Sequence, residues 1–115
     1  MLEFINPAIA LLSILLGAIG WLAPRYTMDV LDMTPGPSTM SFSEVRAASG
    51  ALFVGLGLGA LLIGTPVAYA MVGAAWAGAA IGRATSLVMD GYTPKKLGFF
   101  LCEIAVAGAA LALNL

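Results

Sequence analysis

Arg83 and Glu103 are the residues that demand chemistry first, because each stands in a run of alanine, glycine, leucine, cysteine and isoleucine. A guanidinium in such surroundings needs an anion or a strong acceptor, and a carboxylate needs a cation or a proton. Arg83, Ser86 and Asp90, spaced i, i+3 and i+7, share one face of a helix. Glu44 and Arg46 form a second charged group, preceded by Ser41 and Ser43, either of which is suited to cap a helix. Glu44, Arg46, Arg83, Ser86, Asp90 and Glu103 together suit one of two tasks. One is a structural ion-pair network that fixes helix register, with Arg46 reaching up to the headgroups. The other is a polar pocket that binds an amphiphile's head or relays protons, since ionisable residues inside membranes often mark function. Two arginines against three carboxylates suit the first, and the unbalanced carboxylate keeps the second open.

The elements that must position these residues follow from composition. Of 115 residues, 61% are hydrophobic and only 10% charged, against about 25% charged in an ordinary soluble domain. Such a chain has too little polar surface to coat a water-soluble globule. A transmembrane helix needs roughly 20 mostly apolar residues, and four segments qualify, at about 4–22, 45–63, 67–89 and 97–115. The expected fold class is therefore all-α, a transmembrane four-helix bundle forming a single domain over residues 1–115. Residues 23–44, with three prolines, form an interfacial loop in which "YTMDVLDM" is a candidate short surface helix, while "GTP" and "DGYTP" make the other two turns. The only early charge is the negative Glu3, so the first span reads as retained rather than as a cleaved leader.

All five basic residues, Arg25, Arg46, Arg83, Lys95 and Lys96, lie in or beside the first and third connections. The positive-inside rule then puts those connections in the cytoplasm and both termini outside. Trp21, Tyr26, Tyr69 and Tyr92 fall near span ends, where amphipathic rings settle at headgroup depth. Gly55 and Gly59, and the row Ala74, Gly78 and Gly82, are expected to let helices of one bundle approach closely, with a homo-oligomer seam as the alternative. The "GLGLG" of 55–59 lies in an apolar span with no preceding strand, which removes it as a nucleotide fingerprint.

With no histidine and one cysteine, Cys102, no zinc or haem site and no His-dependent nucleophile is expected, and Cys102 reads as a small core hydrophobe. Neither cofactor nor metal is expected, and a net charge of -1 without a basic cluster removes nucleic acid as a partner. Arg83 lies about 10 Å inside the end of the third span, counting 1.5 Å per residue from Asp90. Left in lipid it would be unfavourable by up to about 3 kcal/mol. Folding the last two spans into a hairpin about residues 92–94 brings it level with Glu103, so the two are expected to pair. Phe99 and Phe100 either line the mouth beside Glu103 or face lipid.

"EVRAASG" at 44–50 and "GRATSLVMDG" at 82–91, followed by a glutamate in the last span, resemble the paired signatures of a family of small bacterial four-span membrane proteins known only as a domain of unknown function. The resemblance implies a compact four-helix membrane domain and points to Glu44, Arg46, Arg83, Ser86, Asp90 and Glu103. It implies no activity. The function expected from these residues is a non-enzymatic protein of the bacterial inner membrane that binds a membrane lipid or other amphiphile, or docks to a larger membrane complex. The alternative is a membrane enzyme or proton-coupled carrier with Glu103 as acid or base. Carriers usually carry internal repeats, and the charges of the first two spans do not match those of the last two.

Overall fold

The computed structural model describes residues 2–115, and every regular element among them is helical. A 3-10 turn at Leu2–Phe4 enters α1, Ile5–Leu22, which is followed by α2, Pro24–Val30, and α3, Met40–Arg46. A π-helical turn at Ala47–Ala51 runs straight on into α4, Leu52–Ile63, and the chain ends with α5, Pro66–Met89, and α6, Pro94–Asn114. Among the described residues, three stretches are long and apolar enough to cross a membrane: Leu2–Leu22, Met40–Ile63 and Pro94–Asn114. The expected span over 67–89 is a helix of 24 residues. Its alanines, glycines and Arg83 dilute its apolarity, and it is not one of the three.

Helix starts differ from the expected ones because caps, rather than apolar runs, set them. Proline at the first position and a threonine before it start α5 and α6, with Thr65 accepting from Ala68 N at 3.3 Å and Thr93 from Lys96 N at 3.2 Å. The second apolar stretch begins at Met40 rather than 45, and neither Ser41 nor Ser43 caps it. Ser38 Oγ accepts from Met40 N at 3.2 Å, while Ser41 Oγ accepts from Gly36 N at 2.8 Å. The stretch over 23–44 carries the start of α3 and a short helix, α2, whose Arg25, Tyr26, Asp29 and Val30 are exposed while Pro24 and Met28 are buried beneath them. Asp32, in the left-handed region at φ 58°, ends it, with Met33 N donating to Met28 O at 2.8 Å.

The chain divides into two compact units, Pro7–Leu62, and Met1–Asn6 with Ile63–Leu115. In the first, α1 meets the π turn and α4 through small residues. Ala10, Ser13, Gly17 and Gly20 are all buried along one face of α1. A Cβ on Gly17 would lie 2.6 Å from Gly50 O, one on Gly20 2.5 Å from Ser49 O, one on Gly50 2.5 Å from Trp21 N and one on Gly57 2.5 Å from Ala10 O. Such backbone-on-backbone approach is how helices associate where burial of apolar surface gives no preference for protein over lipid. The expected rows do not do this within their units. A Cβ on Gly55, Gly59, Gly78 or Gly82 meets nothing within 4 Å, and Ala74 is exposed. Within the units, the close approaches are made from Gly50, Gly57 and, in the other unit, Gly73.

In the second unit α5 packs along α6. Gly73 lets Ala110 come close, its Cβ position lying 2.8 Å from that of Ala110. Asn6 and Asn114 exchange side-chain amide hydrogen bonds, each 2.8 Å, and Asn114 Nδ2 also donates to Ala110 O at 2.7 Å. Tyr69 is buried rather than placed at an interface, while Trp21, Tyr26 and Tyr92 are exposed. Cys102 also faces outward, contrary to the core role expected of it, because its neighbour Glu103 takes the inward direction. Leu15, Leu62, Val67, Met71, Ile81 and Leu101 all point outward. An apolar exterior of this extent suits a membrane protein.

The hairpin turns at Gly91, whose φ of +97° is strained for any L side chain. Gly91→Ala is therefore expected to destabilise the protein by about 1–2 kcal/mol, read as a lower unfolding temperature in detergent. Gly98→Ala, where a Cβ meets nothing within 4 Å, is expected to leave it unchanged or raised.

Candidate functional site

The α5–α6 hairpin builds the site by symmetry. Arg83 and Glu103 are equally far along the chain from Thr93, and helical rise is constant, so a short turn sets them at one level. Arg83 Nε donates to Glu103 Oε1 and Nη2 to Oε2, both at 3.1 Å, a parallel two-bond pair. This geometry matches the planar fork of the guanidinium to the carboxylate. The Glu103 side chain is 11% exposed and that of Arg83 32%. Phe99, one helical turn before Glu103, carries the guanidinium over its ring, 5.3 Å from the centroid. Of the two places open to it, Phe99 takes the one beside Glu103.

The pair satisfies the carboxylate more fully than the arginine. Both Glu103 oxygens accept from Arg83. Arg83 uses Nε and Nη2, and among the described residues Nη1 has no acceptor. What remains are three N–H groups, two on Nη1 and one on Nη2, on a pair whose charges cancel, with an aromatic ring on one side. They can hold a neutral oxygen acceptor.

Ser86 and Asp90, on the same hairpin, do not join this pair. Ser86 is half-buried on α5 and its carbonyl accepts from Asp90 N at 2.8 Å, while Asp90 ends the helix and is exposed. Neither side chain bonds to Arg83 or Glu103. Glu44 and Arg46 belong to the other unit, on α3. Glu44 is exposed, and Arg46 Nη1 donates to Trp21 O at 2.7 Å, satisfying a carbonyl of the last turn of α1.

One residue with a partner in this region carried no site signal in the sequence. Arg25, read only as a topology marker, lies over the Phe42 ring at 4.7 Å and joins α2 to α3. Among the described residues no group of histidine, cysteine or carboxylate side chains has the arrangement of a metal site.

Residues 1–114 match a domain of unknown function, DUF4345. The chain belongs to the DUF4345 family. No curated protein and no solved structure matches it. The match runs through both units, so the Arg83–Glu103 pair and the Arg46–Trp21 contact both lie inside the DUF4345 region.

Proposed function

We propose that this DUF4345 protein is a non-enzymatic, multi-pass protein of the bacterial inner membrane that binds an amphiphile at Arg83, with α5 as a fourth span beside the three apolar helices. In this reading the connections holding Arg25, Arg46, Lys95 and Lys96 face the cytoplasm. The observation that carries the proposal is the unbonded Nη1 of a guanidinium otherwise held by Glu103 and Phe99. A donor left without a partner near hydrocarbon is unfavourable, and an amphiphile's ester or amide carbonyl would satisfy it. Because the pair is neutral, a neutral head fits better than an anion. Engagement of both Glu103 oxygens also favours binding over acid–base chemistry at that residue.

Arg83→Lys tests this, since lysine keeps the charge beside Glu103 but lacks the second fork. Protein purified in mild detergent should carry a co-purifying amphiphile, seen by native mass spectrometry. Arg83→Lys should retain about tenfold less of it, the loss of one hydrogen bond to a charged group. Equal retention by both proteins would overturn the proposal, as would a second membrane subunit co-purifying stoichiometrically in place of the amphiphile.

A further inference from the structure

A second polar site, in the Pro7–Leu62 unit, differs from the first in having no carboxylate. An open groove of about 700 Å³ lies where the end of α1 and α2 face α3, and Arg25, Arg46, Tyr26, Thr39 and Ser43 are among its lining residues, with Phe42 as an apolar wall. Among the described residues no aspartate or glutamate lines it. Arg46 is anchored through Nη1 to Trp21 O, which leaves Nε and Nη2 available, and Arg25 is set against Phe42 by its ring face, which leaves its edges available. Neither arginine makes an ion pair among the described residues. The groove thus holds two uncompensated positive charges beside hydroxyl donors.

Its place along the chain is equally informative. The groove sits where Leu2–Leu22 ends and Met40–Ile63 begins, that is, at the ends of two helices long and apolar enough to cross a membrane. In a bilayer those ends lie at headgroup depth, where the anionic lipids of the cytoplasmic leaflet attract arginines. The exposed Tyr26 also suits the interface.

We infer that this groove binds the phosphate of an anionic membrane lipid, Arg25 and Arg46 donating to its oxygens and Ser43 or Thr39 supplying a hydroxyl. Charge complementarity selects the ligand: two free guanidiniums fit a phosphodiester, whereas the neutral Arg83–Glu103 pair does not. Burial of the arginine edges against a phosphate also explains why Arg46 is tethered rather than left to swing, since a fixed donor loses less freedom on binding. The inference rests on reading Leu2–Leu22 and Met40–Ile63 as membrane spans, and not on the Arg83 site.

The test is lipid binding by the detergent-purified full chain, comparing phosphatidylglycerol with phosphatidylcholine by native mass spectrometry. Wild type should prefer phosphatidylglycerol, and Arg25→Gln and Arg46→Gln should each lower that preference about fivefold. Arg25→Gln keeps the Arg46–Trp21 bond, so it reports on binding even where Arg46→Gln unfolds. Lys96→Gln, which removes an equal charge at the other turn, should leave the preference intact. No preference in wild type would overturn the inference, as would an equal loss in Lys96→Gln or no loss in Arg25→Gln. Displacement by inorganic phosphate at matched ionic strength would also overturn the lipid assignment in favour of a soluble phosphate ligand. Alkaline carbonate extraction of the membranes separates the two premises. A protein washed off by carbonate fails as a membrane span, whereas one that stays but shows no lipid preference fails only at the groove.

Discussion

Arg83→Met is expected to destabilise the protein by about 3 kcal/mol, and Glu103→Leu by about 2 kcal/mol. Each leaves an uncompensated charge. The order follows from burial, because Glu103 is 8% exposed as a residue and its carboxylate would be stranded with no water, whereas the Arg83 side chain, 32% exposed, keeps some access to polar surroundings. Partial exposure also weakens the attraction itself, so both values sit at or below the usual range for a fully buried pair. The double variant Arg83→Met with Glu103→Leu should lie within about 1 kcal/mol of wild type, since replacing both charges by apolar groups of similar size removes the desolvation penalty along with the pair. Unfolding of the four proteins in the same detergent gives the coupling energy directly. Additive losses would show that the two side chains act independently rather than as a pair.

Gly50→Ala carries the second large effect. A methyl group at this position would lie 2.5 Å from Trp21 N and 2.8 Å from Trp21 Cα, both backbone atoms that no rotamer change can move. The π turn and the end of α1 would have to separate, and overpacking of this sort destabilises by about 1–3 kcal/mol. Separation would also stretch the 2.7 Å Arg46–Trp21 bond that anchors one side of the groove. Gly55→Ala and Gly59→Ala have no such neighbour and should fall within about 0.5 kcal/mol of wild type. Thermal unfolding of the three variants decides the matter, and similar midpoints for Gly50→Ala and Gly55→Ala would disprove the close approach at Gly50.

Which of these features can be read from sequence depends on how far apart along the chain the residues that make them lie. The Arg83–Glu103 juxtaposition is a local problem. A four-residue turn and a constant rise per residue fix the depth of any position on either helix by counting from Thr93. The apolar stretches were legible for the same reason, since length and hydropathy are properties of each segment alone. The glycine contacts were not. Deciding whether Gly55 or Gly57 faces α1 needs the rotation of α4 about its own axis, and a row of small residues four apart occurs on more than one face of so glycine-rich a helix. The groove is not legible in the sequence because Arg25 and Arg46 are far apart along it and are brought together by the fold of α2 onto α3. Conversely, the polar cluster expected to converge is shared between two units, with Glu44 and Arg46 in one and Arg83, Ser86, Asp90 and Glu103 in the other.

Val45 and Gly50 are both buried, yet five residues of ordinary α-helix advance about 500°, which would turn them about 140° apart. The π turn at Ala47–Ala51 absorbs that mismatch by looping one extra residue into the coil. It works as a phase shifter: the segment before it and the segment after it keep separate angular clocks. Shortening this turn by a single alanine would restore a regular coil and swing Arg46 and everything ahead of it around the axis, away from Trp21, without altering any other side chain.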